Sequence, residues 1–201
     1  PTARRTLINF IRLSKPKIVL LLLVSTAGGM LAAGGWPIPW PRLLMTLAAG
    51  ALCAGGAASM NSYIDRELDR GMERTRKRPL PSGEISPRSA FTFSVTISLL
   101  ALLLFLLVSP LVAGLAAAGW VWYVFAYTMY LKRRTSLSIL IGGAAGAFPP
   151  MVGWAAATGS VNLAAAFLFL IVFFWTPPHA LALALMLKED YRRCNIPMLP
   201  V

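Results

Sequence analysis

Charge is scarce in this sequence: only 13% of its 201 residues are charged, and seven acids stand against 19 lysines and arginines. A soluble domain carries about 25% charged residues, so a soluble enzyme is a poor reading of this chain. Histidine occurs once, at His179. The two cysteines, Cys53 in an apolar run and Cys194 in the polar terminal segment, lack C-x-x-C spacing. That excludes a disulfide framework and a cysteine metal site and leaves two free thiols. A separate cleavable leader is not expected, because the basic PTARRTLINFIRLSKPK runs straight into the first apolar stretch.

What remains is apolar: 57% of the residues are hydrophobic and the mean hydropathy is +0.68. Six stretches approach the roughly 20 residues that cross a bilayer: Ile18 to Gly35, Leu43 to Tyr63, Ala90 to Val108, Leu111 to Leu131, Ile139 to Ala157 and Leu163 to Leu187. Lipid cannot satisfy a bare backbone, so each should be helical, giving an all-α, polytopic transmembrane bundle. A net charge of +12 would suggest nucleic acid in a soluble protein, but its distribution argues otherwise. Threading the six spans alternately puts all the lysines and arginines except Arg42 on one side, which the positive-inside rule makes cytoplasmic or its organellar equivalent. The acids lie on that side too, which topology alone does not require.

The outer turns GGWPIPWPR, SP and TGSVN are short, whereas the inner loop after Asn61 is long and charged. Chemistry is therefore expected at the inner face. The small-residue run IGGAAGAFPP allows close helix approach. Pro149-Pro150 and Pro177-Pro178 are expected to break their helices, a feature tolerated in a membrane where the break lines a cavity. The chain begins at Pro1 and stops at IPMLPV, and the expectation is a single membrane domain over 1–201 that is part of a longer protein.

The stretch NSYIDRELD holds the chemistry. Asn61, Asp65 and Asp69 recur every four residues, so on a helix each advances only about 40° around the axis and about 6 Å along it. Three oxygen-bearing side chains then share one face, which suits Mg²⁺ held by one or two carboxylates with positions kept for phosphates and water. A solvated helix end with local ion pairs is the plainer reading, but stacked acids repel one another and acids at a membrane edge are costly. The ERTRKRPLPSG segment that follows supplies Arg74, Arg76, Lys77 and Arg78. Guanidinium forks and ammonium groups suit phosphate oxygens; as anchors for anionic membrane lipid they would also be ordinary. Together the acids and bases read as a site for a metal-bridged diphosphate.

These residues carry a resemblance. The N-x-x-x-D-x-x-x-D pattern with TRKRPLPSGEIS resembles the first motif of the UbiA-type intramembrane prenyltransferases, and the likeness runs almost from end to end. LSKPKIV, YTMYLKRRTSLSILIGGAAGAFPP, FFWTPPH and DYRRCNIPMLPV narrow it to the branch of that family that prenylates haem. The resemblance implies nine spans, of which six are present, around an apolar central cavity opening toward the cytoplasmic side. It implies farnesyl diphosphate as donor, haem b as acceptor, Mg²⁺ as cofactor and a haem A synthase as downstream partner. It also implies that Asn61, Asp65 and Asp69 hold the metal while Arg74, Lys77, Arg78, Lys132, Arg133 and Lys188 serve the diphosphate. Asp190 falls where the family has its second acidic motif, and is expected as a further metal ligand; pairing with Arg192 or Arg193 is the alternative. His179, an ionisable group at membrane depth, is expected to ligate haem iron or act as a base, against an ordinary hydrogen-bonded core histidine. Tyr127 is expected at the diphosphate or the allylic carbon, against an interfacial tyrosine. Two other readings stay open: a relative with a hydroxybenzoate or chlorophyll-precursor acceptor, and a membrane transporter. The expected membrane is the bacterial cell membrane, with the mitochondrial inner membrane as the alternative.

Overall fold

The computed structural model describes residues 3–34, 37, 39–186, 188 and 192. The described residues form helices and turns: α1 (Ala3–Leu13), α2 (Pro16–Gly34), α3 (Trp40–Ile64), α4 (Arg66–Gly71), α5 (Pro87–Val108), α6 (Pro110–Val121), α7 (Ser138–Gly142), α8 (Ala144–Thr158) and α9 (Leu163–Met186). A π-helical segment, Trp122–Tyr130, continues α6 and ends in a short 3₁₀ turn, Leu131–Arg133. Six helical spans are long and apolar enough to cross a membrane: Pro16–Gly34, Trp40–Ile64, Pro87–Val108, Pro110–Tyr130, Ser138–Thr158 and Leu163–Met186. They match the six stretches read from hydropathy to within a few residues at each end.

Helix starts follow from local chemistry. Ser86 and Ser109 each precede a proline at the first helical position, and their hydroxyls accept from Ser89 N at 3.1 Å and Val112 N at 3.2 Å. A proline there loses no intrahelical bond, and the serine satisfies an otherwise orphaned amide. The first helix is different in kind. It turns Asn9 and Leu13 inward and leaves Leu7, Ile8 and Ile11 exposed, as an amphipathic helix lying in a bilayer interface does.

Neighbour packing runs α2 to α3, α3 to α5, α5 to α6, α6 to α8 and α8 back to α2. Five spans thus close a ring, with α9 packed outside it on α8. Between α2 and α8 the backbones meet directly: a Cβ at Gly29 would collide with the Pro150 carbonyl, and one at Gly153 with the Thr26 carbonyl. Only glycine permits that approach, the small-residue packing that replaces hydrophobic drive between membrane helices. The ring is plugged toward its outer end by Met30, Ala49, Phe105, Val112, Ala116 and Val152. Below that plug lies an apolar cavity of about 220 Å³ walled by Leu22, Ala54, Trp120, Tyr123 and Phe148, with Lys15 at its mouth.

The expected helix breaks at the double prolines are absent. Pro149-Pro150 lie inside α8 and Pro177-Pro178 inside α9; the interruption in the fifth span comes at Gly143 instead. Proline removes its own N–H and frees the carbonyl four residues earlier, but its fixed φ remains helical, so a helix can continue through the pair. The associated expectation of a cavity holds for one pair: Pro149 and the turn before it line the apolar chamber.

Candidate functional site

The third helix carries Asn61 near its end and pauses at Asp65, where φ is −87° and ψ is 3°. The hydrogen-bond ladder nevertheless survives the pause, with Asp65 N donating to the Asn61 carbonyl at 2.9 Å and Asp69 N to the Asp65 carbonyl at 2.8 Å. The four-residue spacing therefore places Asn61, Asp65 and Asp69 together, all buried, with 6%, 2% and 4% of their surfaces exposed.

Each carboxylate meets its own cation from a different part of the chain. Lys132 Nζ, from the turn after the π-helical segment, donates to Asp65 Oδ2 at 2.6 Å, and Arg78 donates to Asp69 Oδ2 at 2.9 Å. These pairs offset the repulsion that two stacked acids would suffer. Asn61 extends the first pair: its amide nitrogen donates to Asp65 Oδ2 at 2.8 Å and to Thr128 Oγ1 at 3.2 Å, and its oxygen accepts from Lys15 Nζ at 2.7 Å. Thr128 in turn donates to the Tyr123 carbonyl, five residues back, at 2.8 Å. The π-helical winding thus sets the hydroxyl opposite Asn61, in keeping with the occurrence of such segments at functional sites.

The loop after α4 is built to hold Arg78 in place. Thr75 Oγ1 donates to the Asp69 carbonyl at 2.9 Å. Met72 packs with Ala184 of α9, while Leu80 and Ile85 pack with Leu13 and Ala90. Buried apolar side chains therefore anchor a loop that is otherwise basic.

Lys15 was not singled out by the sequence, although it lies in a basic segment. Its φ is +53°, a left-handed conformation rare for a residue with a side chain. Such strain, of order 1–3 kcal/mol, persists where the surroundings impose it and often marks a functional position. Burial lowers its ammonium from the ordinary lysine range to about 8; Arg78 and Lys132 push the same way, partly opposed by Asp69 and Asp65. Lys15 joins the polar cluster to the apolar chamber, whose wall it also forms. Thr128 and Tyr123 were missed likewise, being hidden in an aromatic, apolar run that carries no spacing signal for a site.

The other expected residues divide. Arg74 and Lys77 line a separate cavity with Arg12, Lys15 and Arg78. Tyr127 lies on the π-helical segment, its ring 5.7 Å from that of Tyr123, and Gly142 packs so closely on it that a Cβ there would collide with the ring. His179 is on the exposed side of α9, stacked on Trp175 with ring centroids 4.6 Å apart. Lys188 is half-buried just beyond α9. Asp190 and the side chain of Arg133 lie outside the described residues.

The donor set fits a hard divalent cation in one respect that the structure displays. Asp65 Oδ1 is buried and has no hydrogen-bond partner, an acceptor left for a cation to satisfy. Among the described residues no three His, Cys, Asp or Glu side chains gather as a metal group. A metal here would therefore depend on the two aspartates together with ligand oxygens, as Mg²⁺ commonly does.

Comparisons with known proteins agree with this architecture. Residues 22–201 match the UbiA prenyltransferase family. The chain is 49% identical to the protoheme IX farnesyltransferase of Symbiobacterium thermophilum over 96% of its length, and 49% identical to that of Deinococcus radiodurans over all of it. It spans 65% and 66% of those two relatives. A UbiA homolog from Archaeoglobus fulgidus bound to GPP and Mg²⁺ superposes with a TM-score of 0.82 at 19% identity, covering 96% of this chain and 68% of that one. A digeranylgeranylglyceryl phosphate synthase superposes with a TM-score of 0.80 at 20% identity, with the same coverage of each chain. The ring of membrane helices and the match along most of the sequence make this an integral membrane protein that belongs to the UbiA prenyltransferase family.

Proposed function

We propose that the protein transfers a farnesyl group from farnesyl diphosphate to a vinyl group of protoheme IX. The observation that carries this reading is the near-half identity, along nearly the whole chain, to relatives named for that reaction. The site supports it physically: the Asp65–Lys132 pair is joined through Asn61 and Lys15 to an apolar chamber, with the Asp69–Arg78 pair four residues further along the chain, as a substrate with a charged head and a hydrocarbon tail requires. Asp65 and Asp69 would hold Mg²⁺, with Asn61 as a third donor whose oxygen Lys15 now occupies, and Asp190 as a further ligand. Bound there, the ion would neutralise charge on the diphosphate.

Arg78, Lys132 and Lys15 bind the diphosphate oxygens, with Arg133 and Lys188 completing the cradle. As the bond from C1 to the ester oxygen breaks, the electron pair leaves with the diphosphate. The three cations then stabilise the departing charge more than the intact ester, which accelerates the step. Trp120, Tyr123 and Phe148 keep water from the allylic cation, and Tyr127 lies beside Tyr123 at its polar end. The vinyl π electrons form the new C–C bond; water then captures the resulting cation and releases a proton, giving the hydroxyethylfarnesyl product. His179, next to Trp175 on α9, serves the haem and not the diphosphate. The product is destined for a haem A synthase, and the charge asymmetry suits a bacterial cell membrane with the site facing the cytoplasm.

Membranes holding the full chain, incubated with haem b, Mg²⁺ and labelled farnesyl diphosphate, should yield a labelled hydroxyethylfarnesyl haem by mass spectrometry. Label found in a hydroxybenzoate or chlorophyll precursor instead would reassign the acceptor. Ion flux without release of diphosphate would refute a transferase.

A further inference from the structure

A second cavity, of about 180 Å³, opens between the α1–α2 junction and the loop before α5. Five cations line it, Arg12, Lys15, Arg74, Lys77 and Arg78, and among the described residues no carboxylate does. Three of its cations differ from their neighbours in partnership; Arg78 is paired with Asp69 and Lys15 is hydrogen-bonded to Asn61. Arg5, Arg66, Arg70 and Arg76, which lie outside it, each pair with a glutamate. Arg12, Arg74 and Lys77 have no ion pair among the described residues. Like charges gathered on one cavity raise its potential and attract an anion.

We propose that this cavity binds the carboxylate groups of the acceptor, which for protoheme IX are its propionates; the assignment rests on the haem reading above. The composition of the wall separates this role from that of the diphosphate site. An oxyanion that arrives with a divalent cation needs carboxylates beside it, and those are at Asp65 and Asp69. A wall of cations alone repels Mg²⁺ and suits a bare carboxylate, for which the guanidinium of Arg12 or Arg74 offers a bidentate fork. Leu13, Pro79 and Leu80 give the cavity an apolar side, matching an acceptor that is acidic at one edge and hydrocarbon elsewhere. Lys15 and Arg78 belong to both sites, so the acceptor's acidic edge and the donor's diphosphate meet at the same two cations.

The test uses the full chain in nanodiscs and follows the Soret band as haem b or its dimethyl ester is added. Arg12 is exposed and makes no side-chain hydrogen bond among the described residues, so Arg12→Ala should fold, and Lys77→Ala gives an independent second variant. Arg12→Ala should weaken haem b about tenfold, Arg12→Lys less, and the dimethyl ester should bind wild type and both alanine variants equally weakly. Binding of farnesyl thiodiphosphate with Mg²⁺ should be unaltered by Arg12→Ala. Unchanged haem b affinity in the alanine variants would overturn the proposal. So would equal loss for acid and ester, a matching loss for the thiodiphosphate, or an Arg12 effect seen only with phosphatidylglycerol present, which would assign the cavity to lipid phosphate. Wild type that binds neither haem nor ester would sink the haem reading itself, whereas haem binding indifferent to these cations sinks only the pocket.

Discussion

At the scale of single residues, the site is a balance between two buried carboxylates and three cations, and removing one member leaves the others uncompensated. Asp65→Ala strands Lys132 and Asp69→Ala strands Arg78. Either change should cut farnesyl transfer by about a hundredfold or more while membrane insertion, followed by fractionation, stays normal; full turnover in either variant would sink the assignment of these acids. Lys15 permits a cleaner separation of fold from function. Asparagine tolerates the left-handed backbone that Lys15 occupies but brings no charge. Lys15→Asn should therefore leave the melting temperature near that of wild type and raise the KM for farnesyl diphosphate about tenfold or more, the worth of one charge-assisted hydrogen bond. An unaltered KM would make Lys15 a structural residue only. The aspartates were legible in the sequence because their chemistry and their helical period coincide. Lys15 was not, since a positive φ leaves no mark in residue order, and its ammonium acquires its neighbours only when α2 and α3 come together. Arg74 and Lys77 show the opposite limit: their charge was readable, but which of two cavities they face depends on how the loop folds back over α1.

Elements carry information that single residues do not. The π-helical segment decides where Thr128 and Lys132 stand relative to Asn61 and Asp65. Deleting one residue from it shifts every later side chain by one position around the segment. Phe125 is a suitable target because it is exposed on that segment. Its deletion should abolish transfer while its replacement by leucine is neutral; assaying both in membranes checks this, and an active deletion would show that the winding does not aim these side chains. The contact of α2 with α8 is the second element-scale feature. Gly153→Val forces side-chain atoms into the Thr26 carbonyl and should cost about 1–3 kcal/mol, as overpacking does, read as a lower melting temperature in detergent. A variant as stable as wild type would mean that the helices separate at no cost. Hydropathy placed the six spans because lipid demands about the same helix length of each. It could not show the ring they close, which depends on pairwise helix contacts far apart in the chain, nor that the double prolines stay within continuous helices.

On the scale of the whole molecule, the one-sided charge and the closed outer end give the ring a direction. On the proposed reading, a prenyl diphosphate that enters from the charged side lodges its head at Asp65, Asp69 and Lys15 and threads its tail inward toward the plug formed by Met30, Phe105 and Val152. Head and tail sites then make separable demands on the substrate. Ala54 lies on the cavity wall formed by α3, in the stretch of that helix leading to Asn61. A larger side chain there shortens the space for the tail without reaching the carboxylates, because seven residues of helix put it about 10 Å away along the axis. Ala54→Phe should therefore raise the KM for farnesyl diphosphate sharply while leaving that for dimethylallyl diphosphate, with its five-carbon tail, nearly unchanged. The comparison of the two donors in one preparation controls for loss of folded protein, since misfolding would depress both equally. If farnesyl diphosphate were used as well as before, the tail would have to leave the ring between helices, and the chamber below the plug would not be the place where the hydrocarbon is measured.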